Sequence, residues 1–185
     1  MNAGSCANPA AVIGFWLEAG PRLWFARDAD FDHACRTHLL ESHHGAARGE
    51  LDGWARSADG ALALVILLDQ VPRNVFRDSA HAWATDGLAR HHAAHAIGAG
   101  HDHLVAAALR MFFYLPFEHS ESLDDQRRSL ELHRGLPGAD ADLWARRHHD
   151  VIVRFGRFPH RNRALGREST PEETAWLASG GAGFG

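Results

Sequence analysis

Ala61–Leu68 reads ALALVILL, eight residues with no polar side chain among them. A helix that is apolar on every face has to be buried on every side, whereas a surface helix needs only one apolar stripe. A run this short could also be a buried strand, but Asp59–Gly60 before it and Pro72 after it frame it as helical. His103–Leu115 (HLVAAALRMFFYL) has the same character and is expected to be a second, nearly all-apolar helix ended by Pro116. Two such helices need amphipathic ones packed around them. The expected fold is therefore all-α, a single helical domain over residues 1–185 with two buried central helices. Residues 1–9 and 179–185 are expected to be loosely ordered ends.

The remaining segments supply the outer helices. An apolar run from Ala10 to Leu17, broken by Gly14, reads as a first helix. Asp28–Arg48 places Phe31, Cys35, His38 and Leu39 at helical spacing, and His81–Gly98 alternates at the same period. Ser122–Arg134 and Asp140–Phe155 follow, separated by a Gly–Leu–Pro–Gly turn. The second of these puts Trp144, His148, Val151 and Phe155 on one face and has Gly156 as its C-cap. The last helix has the clearest start in the chain, with Thr170 as N-cap, Pro171 in the first helical position and Glu173 three residues after the cap. The closing SGGAGFG reads as a frayed tail around Phe184. No strand, interdomain linker or repeat of roughly 34 residues is legible.

Composition limits the functional classes. With 185 residues, 45% of them hydrophobic, the chain can bury a substantial core without disulfides or metals. A formal net charge of −4 gives no electrostatic reason to expect nucleic acid or a membrane surface as partner. Cys6 and Cys35 fit neither a CxxC pair nor a disulfide framework, which is the usage of a reducing compartment. The amino terminus lacks the basic region of a signal peptide, and no window approaches the roughly 20 apolar residues of a bilayer span. The expected location is cytoplasmic. All 19 basic side chains are arginine, so lysine chemistry (Schiff bases, anchored pyridoxal phosphate, a P-loop lysine) is excluded. GC-rich coding would account for that bias and for part of the 15 histidines.

Three polar segments abut the apolar helices. In LLDQVPRNVFR (Leu67–Arg77), Asp69 sits where a buried helix finishes, and an unpaired buried carboxylate costs several kcal/mol. Arg73 or Arg77 is its simplest partner; either the pair is structural, or one arginine is left to face a ligand beside Asn74. In LPFEHSE (Leu115–Glu121), His119 lies between Glu118 and Glu121, which favours the charged imidazole and suits acid–base work near neutral pH. The alternative is that Ser120 or Ser122 caps the next helix while Glu121 or Asp125 complements its positive end. The third is the arginine-dense loop Arg154–Glu173. Its Arg157, His160, Arg161 and Asn162 can present forks to a carboxylate or phosphate, or tie down carbonyls at the preceding helix end, with His149 and Asp150 able to join either arrangement.

Other signals weigh less. His91 and His95 have metal-ligand spacing, with His92, His101 and His103 nearby, but lack an HExxH pattern or a cysteine pair and read as surface histidines in an alanine-rich helix. His43–His44 is similar. Glu118, His119 and His149 would suit a mixed metal site only if folding gathered them, so no metal site is assigned. The six tryptophans read as core filling. No GxSxG, helix-opening GxGxxG or P-loop pattern is convincing, so no cofactor is implied.

From Val12 to Phe184 the chain resembles the DUF924 family, a domain of unknown function. The resemblance rests on LLDQVPRNVFR (Leu67–Arg77), ATDGLA (Ala84–Ala89), LPFEHSE (Leu115–Glu121), FGRFPHRN (Phe155–Asn162) and LGRESTPEE (Leu165–Glu173), five strings in order. Departures are apolar, such as Val71 where the family usually has an aromatic residue and Trp83 where it usually has Phe. The resemblance implies an irregular, tetratricopeptide-like helical stack and no particular activity. Fold analogy points to peptide or protein binding, although fold alone is a poor guide to function.

Two functional expectations follow. In the first, the polar segments converge on a pocket for a small anionic ligand. Arg73, Arg77, Arg157 and Arg161 supply positive charge, His119 or His160 moves a proton, and Glu118 or Asp69 orients the imidazole, with Asn74, Glu121, His149 and Asn162 completing the lining. Such a pocket serves catalysis or simple binding equally well. In the second, the arginine–carboxylate clusters only knit the helices together and an outer surface recognises a protein partner.

Overall fold

The computed structural model describes residues 8–138 and 141–181. The protein is all-α, and among the described residues there is no strand. Two compact units are distinguished, the first built from Met1–Arg77 and His81–Pro116, the second from Asp78–Ala80 and Phe117–Gly185.

In the first unit, α1 (Pro9–Trp24) starts on Asn8, whose side chain accepts from the Ala11 N–H. It kinks at Gly20, φ 73°, just before Pro21. Helix α2 (Ala29–Ala47) starts on Asp28, whose carboxylate accepts from the Phe31 N–H, and buries Phe31, Cys35 and Leu39. Next come a 3-10 turn at Asp52–Arg56 and α3 (Ala58–Val65). The chain approaches itself closely here: a Cβ on Gly60 would stand 2.1 Å from the Trp54 carbonyl oxygen. Every residue from Ala61 to Leu68 is at most 1% exposed, as the all-apolar run requires. Helix α1 and the helix at Asp86–Gly98 pack on α3, and α2 packs on the short helix at Val71–Val75.

Pro72 does not end this helix. The backbone passes through a π-turn at Ile66–Gln70 and continues as α4 (Val71–Val75). The helix expected from His81 is split into a 3-10 turn at Ala80–Trp83 and α5 (Asp86–Gly98), which buries Ala89, Ala93 and Ala96. The second apolar run is helical too, but Ala107–Phe113 is a 3-10 helix. Its three-residue repeat buries Leu109, Phe112 and Phe113 while Ala107 and Ala108 stay exposed. Trp16 and Trp24 meet the Phe112 ring edge-on, at 5.8 and 5.1 Å between centroids. Pro116 starts rather than stops a helix, standing second in α6 (Leu115–Glu118), where no N–H is required.

In the second unit, α7 (Leu123–Arg134) packs on α8 (Leu143–Phe155), and α9 (Pro171–Ala178) follows the arginine-rich loop. Val151, Ile152 and Phe158 form a buried cluster with Leu123, Phe155 and Trp176 against it. The inner face of α8 is Ala145, His148, Val151 and Ile152; Trp144, expected there, is 49% exposed. Gly156 ends α8 at φ 67°, and Thr170 and Glu173 form the expected capping box around Pro171. Asp140 and Phe184 lie outside the described residues. No helix among the described residues is long and apolar enough to cross a membrane.

Candidate functional site

The π-turn explains the first polar segment. Its wider ladder sends the Val71 N–H to the Ile66 carbonyl, so Leu67 O loses the partner an α-helix would give it. Pro72 has no N–H, so Leu68 O loses its partner as well. Two side chains from elsewhere in the unit fill these places: His43 Nδ1 lies 2.8 Å from Leu67 O, and the Thr85 hydroxyl donates to Leu68 O. Burial pushes the His43 proton affinity down, which keeps the ring neutral with its single proton on the donating nitrogen.

The charges of this segment face each other. Asp69 is fully buried; its Oδ1 lies 3.2 Å from Arg73, which also reaches Asp86 at 3.0 Å. Burial disfavours charge on Arg73, and the two aspartates more than offset it. Arg77 forks onto Asp32, with a 2.8 Å bond to Oδ1, and donates to Asn74 Oδ1 and Ala26 O. Asn74 in turn donates to Gln70 O. Of the two partners considered for Asp69, Arg73 is the one in place, and Arg77 serves Asp32.

The second and third polar segments come together in the second unit. Glu121 accepts from the Phe158 N–H at 2.8 Å and from both Arg167 amino groups at 2.8 and 3.0 Å. Burial opposes its ionisation, but these bonds win and hold its carboxyl below the usual range. Arg157 forks onto Glu173 at 2.6 and 2.8 Å and also donates to Glu168 O. Bonds from Arg157 and the capping-box N–H lower the Glu173 carboxyl to about 2. Asn162 donates to Ser169 Oγ and Glu173 Oε2. Arg161, 6% exposed, donates to His119 O at 3.0 Å and lies over the Phe158 ring.

At the centre of this second unit is Glu118, 2% exposed. His148 Nδ1 stands 3.1 Å from its Oε1 and His133 Nε2 stands 3.6 Å from its Oε2. Gln126, fully buried, donates to Glu118 O and Ser120 O and pins the turn. His119 meets the His148 ring at 6.1 Å in a T-shaped contact. Burial, with His119, Arg161 and His160 adding positive charge, drives the His148 proton affinity down to about 3. The ring is therefore neutral near pH 7, and its 3.1 Å approach to Glu118 is not an ion pair. Nδ1 is shared between Glu118 Oε1 and Trp144 O at 2.9 Å, which assigns the proton to Nδ1 and the lone pair to Nε2. His133 Nδ1 lies 2.9 Å from Ser129 O and burial lowers its proton affinity too, so its Nε2 faces Glu118 Oε2 without donating to it.

Asp69, Arg73, Asn74 and Arg77 thus form one network in the first unit, and Glu118, His119, His160 and Arg161 gather around His148 in the second. Arg157 and Asn162 meet at Glu173, while Glu121 binds the loop backbone. His149 turns to Asp150, at 3.3 Å. His133 and His148 are additions to the residues expected from sequence. Among the described residues no group of three or more His, Cys, Asp or Glu is arranged to hold a metal. A cleft of about 320 Å³, lined by Trp144, Arg147, Asp150, Val151, Trp176, Gly180 and Gly181, contains none of the expected site residues.

Comparisons with known proteins agree with this architecture. A solved structure from Agrobacterium tumefaciens, the protein of unknown function ATU0120, is 49% identical and superposes with a TM-score of 0.89, covering 92% of this chain and 97% of that one. No curated protein matches. The family model for bacterial proteins of unknown function, DUF924, matches residues 12–181, and the chain belongs to that family.

Proposed function

We propose that the second unit binds a small anionic molecule at the cluster of Glu118, His119, His148, His160 and Arg161, and exchanges a proton with it. The observation that supports this most directly is a buried carboxylate with an imidazole at each of its oxygens, in a region where three further positive groups depress one of those imidazoles. Clusters of perturbed titratable groups are typical of sites that move protons. An incoming carboxylate or phosphate offsets the field of His119, Arg161 and His160, so His148 Nε2 gains proton affinity as the anion binds. Glu118 orients that ring, as a second-row carboxylate does in other acid–base sites. His119 and His160 keep part of their surface exposed and are the groups assigned to touch the ligand. Arg157, Asn162 and Glu121 hold the loop, and the arginines of the first unit belong to the fold. His149 has no part in this reading. The buried free thiol of Cys35 supports a cytoplasmic setting.

Calorimetric titration of the whole chain with inorganic phosphate and with succinate, in two buffers of different ionisation enthalpy, tests this. The expected result is proton uptake on binding, and loss of binding in His119→Ala and His148→Gln variants that keep wild-type circular dichroism. Equal binding in wild type and both variants would sink the proposal, as would absence of binding to either anion.

A second reading, a helical scaffold for a protein partner, has one observation in its favour. Trp144 and Val153, large apolar residues of α8, are 49% and 60% exposed. It predicts that Trp144→Ala and Val153→Ser abolish capture of a partner and leave anion binding untouched.

A further inference from the structure

Helix α5 carries a feature unrelated to the cluster just described. His91 and His95 are both exposed and lie one turn apart, with ring centroids 4.5 Å from each other and planes at 63°. Residues four apart on a helix are surface neighbours, and two imidazoles so placed can direct a nitrogen each at one ion. The opposite face of the helix, Ala89, Ala93 and Ala96, is the buried one, which fixes this pair outward. Gly87, Ala94, Gly98 and Ala99 occupy the same side one turn before, between and after, with exposed Leu88 as the one large neighbour, three residues before His91. They leave room for an ion and its waters and bring no carboxylate. His92, the intervening histidine, is buried and directed elsewhere, its Nε2 being 3.5 Å from Asp52.

We infer that His91 and His95 form a two-imidazole site for a borderline divalent transition-metal ion (Cu²⁺, Ni²⁺ or Zn²⁺) whose remaining positions are filled by water. Imidazole pairs suit these ions, whereas Mg²⁺ and Ca²⁺ demand oxygen ligands that this face does not offer. With no third His, Cys, Asp or Glu arranged alongside among the described residues, the ion is exchangeable and open to an outside ligand. Affinity follows the order of these ions with nitrogen donors, Cu²⁺ strongest.

The test is titration of the whole chain with Ni²⁺ in a non-coordinating buffer at neutral pH, followed by the Cu²⁺ paramagnetic resonance spectrum at one equivalent. Losing one of two tethered ligands should weaken Ni²⁺ binding about a hundredfold in His91→Ala and in His95→Ala. His38→Ala, an exposed histidine on another helix, should bind as wild type does. The copper spectrum should show hyperfine splitting from two nitrogens in wild type and from one in either variant. Both altered positions are exposed, so circular dichroism should be unchanged. Wild-type Ni²⁺ affinity in either variant, or no Ni²⁺ binding by wild type at millimolar concentration, overturns the inference.

Discussion

The two polar networks answer the same problem, a carboxylate buried at the end of an apolar helix, with different chemistry. In the first unit Asp69 is met by Arg73, which also bridges to Asp86, and Arg77 closes on Asp32. In the second, Glu118 is met by His133 and His148. Guanidinium keeps its proton at any physiological pH, so the first network is a fixed arrangement of charge. Imidazole's proton affinity moves with its surroundings, and burial has driven that of His148 down to about 3, so the second network sets a neutral ring where the first sets a permanent charge. The first carboxylate is therefore held by fixed charge, and the second stands beside titratable rings.

The sharpest way to break that contrast is Arg73→Ala. It removes the cation shared by Asp69 and Asp86, both buried, and should cost about 3–5 kcal/mol in urea unfolding. A loss below about 1 kcal/mol would show that the network is not a structural fastener. The second test uses acid. His148 holds its proton only below about pH 3 when folded, against an ordinary value of 6.5. Between those values the unfolded chain binds a proton that the folded chain refuses, so stability falls as pH falls through this window. The slope reaches about 1.4 kcal/mol per pH unit for one such group. His133 pulls the same way. Replacing His148 with Phe should flatten the acid limb of a stability–pH curve, whereas Arg77→Gln should lower the curve without changing its shape.

Smaller still is Thr85→Val, which keeps the shape and removes the hydroxyl serving Leu68 O. A buried carbonyl left without a donor should cost about 1–3 kcal/mol in thermal or chemical denaturation. At the bottom of the scale is His149→Ala. Its ring turns to the exposed Asp150 at 3.3 Å, so anion affinity should stay within twofold of wild type by calorimetry, an exposed pair of this kind contributing little.

What sequence could show of this divides along the range of the interactions. The capping box at Thr170–Glu173 and the Gly156 stop depend on residues within a turn of each other, and each stands where the pattern put it. The all-apolar stretch at 61–68 is buried because no other outcome is open to it. The π-turn was illegible, since its carbonyls are completed by His43 and Thr85, which lie 24 and 17 residues from their partners. For the same reason Pro72 looked like a terminator. The imidazoles beside Glu118 are out of reach of adjacency: Glu118 and Glu121 flank His119 along the chain, and in space Glu118 also stands beside His133 and His148 while Glu121 takes Arg167 and the Phe158 N–H. A usable signal did exist. Gln126, Ser129 and His133 repeat at helical spacing and form a buried polar stripe on α7, while His148 falls on the apolar face of α8. A polar stripe that must be buried asks for a polar partner, and Glu118 was the one on offer.

The π-turn at Ile66–Gln70 also acts as a phase shifter. A turn that closes one residue late advances everything beyond it by the angle of a single residue, about 100°. That rotation decides which way Arg73, Asn74 and Arg77 point. Deleting Leu67 would replace the wide turn with an ordinary one, broken only at Pro72, and keep an equally apolar rod, yet swing the two guanidinium groups away from Asp86 and Asp32. A chain shortened by that one hydrophobic residue should lose its ionic clasp while keeping its helix, which makes residue count, as much as residue type, part of what the LLDQVPRNVFR string encodes.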